Sequence, residues 1–132
     1  MAYNKRKHLE ANIAALRIAF APSTVLTPQQ RDALAAYSGF GAIKEVLEPL
    51  PHKKKTALTP MIEELHAVLK ENTGGEREYK RYLDGLKASV LTAFYTPEPV
   101  TDAIARMLYN AGAVPVRALE PSAGTGAFVE YL

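Results

Sequence analysis

Three times the chain places a threonine directly before a proline and then an amphipathic run: Thr27-Pro28, Thr59-Pro60 and Thr96-Pro97. A threonine hydroxyl can accept the free N–H groups of a helix's first turn, and proline suits the first helical position, where its missing N–H is not needed. Each step therefore predicts a helix start. A chain punctuated in this way has to fold as separate short helices. The first step also has Gln30 three residues after Thr27, the spacing of a capping box.

Apolar spacing fills in the segments. Leu9, Ile13, Leu16 and Phe20 fall at i, i+4, i+7 and i+11, one face of a helix from about Lys5 to Phe20. The helix opened by Thr27 should run to Tyr37 and break at "SGFG", where two glycines can take positive φ and Phe40 between them plugs the turn. Ile43, Val46 and Leu47 suggest a short helix, and "EPLPHKKKTALTP" reads as a loop. Met61, Leu65, Val68 and Leu69 make the buried stripe of the helix opened by Thr59, which ends by "NTGG". From Glu76 the pattern returns with Tyr79, Tyr82, Leu83, Leu86 and Val90, the tyrosines being core or interface positions. The helix after Thr96-Pro97 should turn Val100, Ile104, Met107 and Leu108 inward and close near "NAG". Only "VPVRALE" reads as a strand, being short, partly β-branched and followed by glycines. The expected fold is mainly α: a helical bundle over residues 1–90, then the first strand and loop of a Rossmann-like domain over residues 91–132.

The bulk numbers exclude more than they identify. At 132 residues, 48% apolar and 23% charged, the chain has room for one globular domain, or one with part of a second. No apolar run approaches the roughly 18–20 residues that span a bilayer. The opening "MAYNKRKHLEANIAALRIAF" is basic, then amphipathic, and carries Glu10, unlike a signal peptide. The absence of cysteine excludes disulfides and thiolate metal sites and fits a cytoplasmic protein. His8, His52 and His66 lie in separate segments without paired ligand spacing, so no metal site is expected. The net charge of +2 is too small to argue for nucleic-acid binding. Lys5–Lys7 and Lys53–Lys55 could touch phosphates, but read first as a helix start and a solvated loop.

The most informative stretch is "ALEPSAGTGAFVEYL". A strand ending in an acidic residue, then Gly-x-Gly and a helix, is a cofactor-loop layout: glycines admit the ligand to the backbone, and the helix start offers free N–H groups. A Walker-type phosphate loop would need Lys and Ser or Thr after its last glycine, and they are missing after Gly126. A dinucleotide fingerprint would need a third glycine where Val129 stands. "EPSAGTGAF" instead resembles the first motif of S-adenosylmethionine-dependent methyltransferases, above all the amino-methylating DNA enzymes, with their acidic-Pro-x-x-Gly-x-Gly-x-Phe form. "TAFYTPEPV" resembles the aromatic-Thr-Pro motif that precedes the loop in those enzymes, and Pro97 to Glu120 is the family's spacing. "LAAYSGFGAIKEV" and "LKASVLTAFYTP" resemble segments of the methylases and methylase–helicases of bacterial mobile elements. Motif-level likeness runs from about Tyr79 to Phe128, with looser likeness before it.

The resemblance implies that Tyr95, Thr96 and Pro97 lie beside the methionyl end of S-adenosylmethionine. Glu120, Pro121 and the backbone of Ser122, Ala123, Gly124, Thr125 and Gly126 would meet its methionine and ribose portions, with Phe128 packed near the loop. It implies an enzyme that methylates the exocyclic amine of adenine in DNA. Such enzymes hold the flipped base with an Asn/Asp/Ser-Pro-Pro-Tyr/Phe motif, and this sequence has no adjacent prolines. The expectation is therefore the N-terminal part of a methyltransferase, ending just after its first cofactor loop. It would have no catalytic residues of its own and weak or no cofactor binding, and would meet DNA through the full-length protein. The lone strand over Val116–Leu119 would be shielded, disordered or paired with another copy. The alternative is a helical DNA-docking or protein-interaction module with a vestigial cofactor loop.

Overall fold

A computed structural model describes residues 4–21, 25–47, 56–113, 117–120, 124, 126, 128 and 129. Among them are five α-helices: α1 (Lys5–Phe20), α2 (Pro28–Ala35), α3 (Thr59–Glu71), α4 (Glu76–Thr92) and α5 (Glu98–Asn110), with a 3-10 turn at Lys44–Leu47. Contacts divide the chain into two units, Met1–Phe94 and Tyr95–Leu132.

Local chemistry sets the ends of the first unit's helices. Asn4 caps α1 by accepting the Lys7 N–H at 3.1 Å. Thr27 forms the expected capping box: its hydroxyl accepts from the Gln30 N–H at 3.2 Å, and the Gln30 side chain accepts from the Thr27 N–H at 2.9 Å. At α4, Glu78 accepts the Gly74 N–H at 2.7 Å, placing negative charge at the positive end of the helix dipole.

The core of this unit joins Leu9 and Ile13 of α1, Phe40, Ile43 and Val46, Ile62, Leu65, Val68 and Leu69 of α3, and Leu86 and Val90 of α4. α1 packs on α2 and α3, and the 3-10 turn packs on α3 and α4. Tyr79 and Tyr82 pack half-buried against this core, as their spacing implied. His66 stitches three elements. Its Nε2 donates to the Val46 carbonyl at 2.9 Å, so in the neutral ring Nδ1 accepts from the Tyr79 hydroxyl at 2.9 Å.

The predicted strand is a correction. Arg117 is a bend, and Ala118, Leu119 and Glu120 have no regular structure; Val116 lies outside the described residues. Leu119 is 90% exposed, whereas the first strand of a parallel sheet is buried on both faces. A strand is stabilised by a ladder that pairs its N–H and C=O groups, and no second strand is found among the described residues. Among the described residues of 91–132, a helix and irregular chain therefore stand where the Rossmann-like start was expected, and the described fold is all-helical.

A second correction concerns α5. The helix forms, but Val100, Met107 and Leu108 are exposed, and Thr101 is its one fully buried residue. Amphipathic spacing shows that a stripe exists on a helix; it does not show that anything covers it.

Candidate functional site

The two motifs singled out by the sequence fall in the second unit. Tyr95, Thr96 and Pro97 form an exposed, irregular lead into α5. Pro97, at φ −63° and ψ 141°, is the residue before the first turn, and no side chain caps the helix. Its carbonyl accepts from the N–H groups of Val100 at 2.9 Å and Thr101 at 3.3 Å. Pro99 falls in the first turn, where its missing N–H leaves no bond unmade. Thr101 donates its hydroxyl to the Glu98 carbonyl at 2.8 Å. Thr96 was expected to cap and does not: its hydroxyl is exposed and makes no hydrogen bond among the described residues.

In the glycine loop, Gly124 has φ 56° and Gly126 φ 87°, both in the left-handed region that side chains other than glycine's rarely adopt. The Val129 N–H donates to the Gly126 carbonyl at 2.9 Å, closing a turn. Among the described residues no atom stands within 4 Å of where a Cβ on Gly126 would lie, so its left-handed backbone is what favours glycine there. Glu120 and Phe128 are half-buried. Pro121, Ser122, Ala123 and Thr125 lie outside the described residues.

The Ser38–Ala42 turn belongs to the first unit and differs from its sequence reading in one respect. Gly39 has the positive φ, 68°, but the second left-handed residue is Ala42 at 62°, not Gly41. Gly41 is instead required by proximity, because a Cβ there would overlap the Ala93 carbonyl. Phe40 is buried in the core, as a plug should be. Asn12 holds the turn from α1. Wholly buried, it accepts the Ser38 N–H at 2.9 Å through Oδ1 and donates through Nδ2 to the Gly39 carbonyl. His8 meets the Ser38 hydroxyl at 2.7 Å through Nδ1. Asn12 is a feature that apolar spacing passes over, yet a signal exists. It stands three residues after Leu9 and four before Leu16, a polar residue inside an apolar stripe.

Two basic residues at the start of α1 have carboxylate partners. Lys5 pairs with Glu45 at 2.7 Å and Arg6 with Glu10 at 2.9 Å. Lys53–Lys55 and His52 lie outside the described residues. At Glu45, burial pushes the carboxyl up, but the Lys5 ammonium and a hydrogen bond to the backbone outweigh it and hold it below its ordinary 4.5. Among the described residues no helix is long and apolar enough to cross a membrane. No known protein family, curated protein or solved structure matches the chain.

Proposed function

We propose that Tyr95–Pro97 and Glu120–Phe128 are the cofactor-contacting segments of an S-adenosylmethionine-dependent methyltransferase acting on the exocyclic amine of adenine in DNA, in a reducing, cytoplasmic compartment. The observation that carries this reading is the unused Thr96 hydroxyl. Elsewhere in the same chain a threonine before a proline is consumed by helix capping; here it stands exposed beside Tyr95, in the motif that resembles the methionyl contact. Two glycines held at positive φ support the same reading, since they keep side chains away from the backbone that would meet the cofactor.

The roles follow from the chemistry of the groups. S-adenosylmethionine supplies an electrophilic methyl on its sulfonium. Thr96 offers a hydroxyl to the amino-acid end, and Tyr95 an aromatic face beside it. Glu120 carries a carboxylate suited to a hydroxyl or ammonium donor of the cofactor. The backbone around Gly124 and Gly126 offers N–H groups to an anionic end. The chain's contribution to rate is positioning. The pairing of Lys5 and Arg6 with carboxylates weakens the reading of a helical DNA-docking module.

Calorimetric titration of the chain with S-adenosylmethionine, beside a Gly124→Asp, Gly126→Asp variant, tests the proposal. Saturable heat that the variant loses is the expected result. Equal heat from both proteins overturns the cofactor role of the glycine loop, and no heat at any reachable concentration leaves the chain with the helical docking role.

A further inference from the structure

Packing against the core takes up only one face of α4: Leu86 and Val90 are buried, with Tyr79 and Tyr82 half-buried beside them. The opposite face carries Arg77, Lys80, Arg81, Asp84 and Lys87, all exposed. At 3.6 residues per turn these five side chains fall within an arc of about 120°. Four cations thus share one face with a single carboxylate, an asymmetry that a net charge of +2 averages away.

The cations of this face are not taken up by the fold. In α1, Lys5, Arg6 and Arg17 are each held by a carboxylate. In α4, Lys87 approaches Asp84 only to 3.7 Å, between side chains that are 62% and 61% exposed. Arg77, Lys80 and Arg81 make no hydrogen bond or ion pair among the described residues. The nearby Glu78 carboxylate is turned back onto the Gly74 N–H. Like charges one turn apart, as at Arg77 and Arg81, oppose helix formation, and no contact described in the unit offsets that.

We infer that the outward face of α4 is a docking surface for the phosphate backbone of duplex DNA, with Arg77, Lys80, Arg81 and Lys87 as its contacts. From Arg77 to Lys87 the helix rises about 15 Å, a length over which one DNA strand presents about four phosphates. Two of the four cations are arginines, whose planar fork fits phosphate oxygens. A protein partner would need apolar or aromatic anchors at the centre of the patch, and a membrane surface an apolar face to bury. This face offers only Ala88 and, at its far end, Leu91. Backbone phosphates carry no sequence information, so the surface holds DNA without choosing a site. The choice of DNA among phosphate polymers rests on the reading proposed above; the docking accompanies the cofactor segments and does not depend on them.

The full chain and three variants test this by fluorescence anisotropy of a short labelled duplex, titrated without S-adenosylmethionine at salt from about 20 to 200 mM. For wild type, log K should fall against log salt with a slope of about −3, each phosphate contact contributing about −0.9. Arg77→Gln with Arg81→Gln should flatten that slope by about two and weaken binding at low salt. Asp84→Asn should tighten it. Lys7→Gln with Arg31→Gln removes the same charge from exposed positions on α1 and α2 and should leave the slope unchanged. Wild-type protein that does not bind the duplex at low salt overturns the inference, as does a control pair that flattens the slope as much as the α4 pair. Polyglutamate that competes as well as unlabelled duplex at equal charge overturns DNA as the occupant and assigns the face to an acidic protein. Because the cofactor is absent throughout, a failed S-adenosylmethionine titration and a failed docking surface are read separately.

Discussion

Thr27-Pro28 and Thr96-Pro97 are the same dipeptide before the same kind of helix, and the fold uses them differently. At Thr27 the hydroxyl and the backbone N–H both engage Gln30, so the residue's polar groups are consumed locally. At Thr96 the position three residues on is Pro99, which has neither an N–H to donate nor a side-chain acceptor to return. The helix starts one residue later and leaves the hydroxyl exposed. Thr59 offers a third outcome: it is the first helical residue, and its hydroxyl accepts the Thr56 N–H at 2.8 Å. A Thr-Pro step thus predicts a helix start reliably, but the residues after it decide whether the hydroxyl stays available.

The same contrast holds between the two units. In Met1–Phe94, polar groups such as Asn12, His66 and Ser89 are bonded across elements around a buried core. In Tyr95–Leu132, large apolar side chains such as Tyr109 and Leu119 are 80% and 90% exposed. The sharpest test of this contrast is a matched pair of truncations. Leu65→Ala removes a wholly buried side chain and should cost about 2–5 kcal/mol in chemical denaturation. Leu119→Ala should stay within about 0.5 kcal/mol. Comparable losses from both would mean that Leu119 is covered in solution, and would erase the distinction.

Next in size is the threonine pair itself. Thr27→Ala should destabilise the protein by about 1 kcal/mol through the lost cap, with no effect on S-adenosylmethionine binding. Thr96→Ala should leave stability within about 0.5 kcal/mol and weaken binding about tenfold. Thermal melts and calorimetry on the two variants would show whether the effects cross over in this way. A Thr96→Ala protein that loses stability and keeps its affinity would make Thr96 a cap after all.

The helices were legible because periodicity and capping are local. α1 runs from Lys5 to Phe20 as Leu9, Ile13, Leu16 and Phe20 imply, and the Thr27 box follows from two residue types three apart. Three features were not legible, for one reason: each depends on a partner that spacing does not contain. "VPVRALE" has strand composition, but a strand exists only as half of a ladder. The α5 stripe is apolar whether or not anything covers it. Gly41 looks like a turn glycine and is in fact a contact glycine, because the neighbour that forbids its side chain, Ala93, lies about fifty residues along the chain. The motifs that resemble a cofactor site were read from residue type and order; of their residues, Thr96 is exposed and Gly124 and Gly126 hold left-handed backbone.

The smallest effect concerns a charge in the heavily bonded unit. The Lys5–Glu45 pair joins α1 to the 3-10 turn that follows Ser38–Ala42. Burial alone would raise the Glu45 carboxyl, and Lys5 at 2.7 Å together with the backbone hydrogen bond reverses that. A carboxyl held below its unfolded value stabilises the fold above that value, near pH 4.5, and loses its contribution as pH falls through the lower folded value. Because both side chains are partly exposed, the contribution is about 0.5 kcal/mol. Replacing Lys5→Met keeps most of the aliphatic stem and removes the charge. Glu45 is then left with burial pushing it up and only the backbone bond opposing, so its share of the acid sensitivity should shrink or change sign. Melting curves from neutral pH to about pH 3 should therefore converge for the two proteins as acid is added. Curves that stay parallel would mean that Lys5 and Glu45 do not pair in solution, and that the polar ties of the first unit are fewer than its geometry implies.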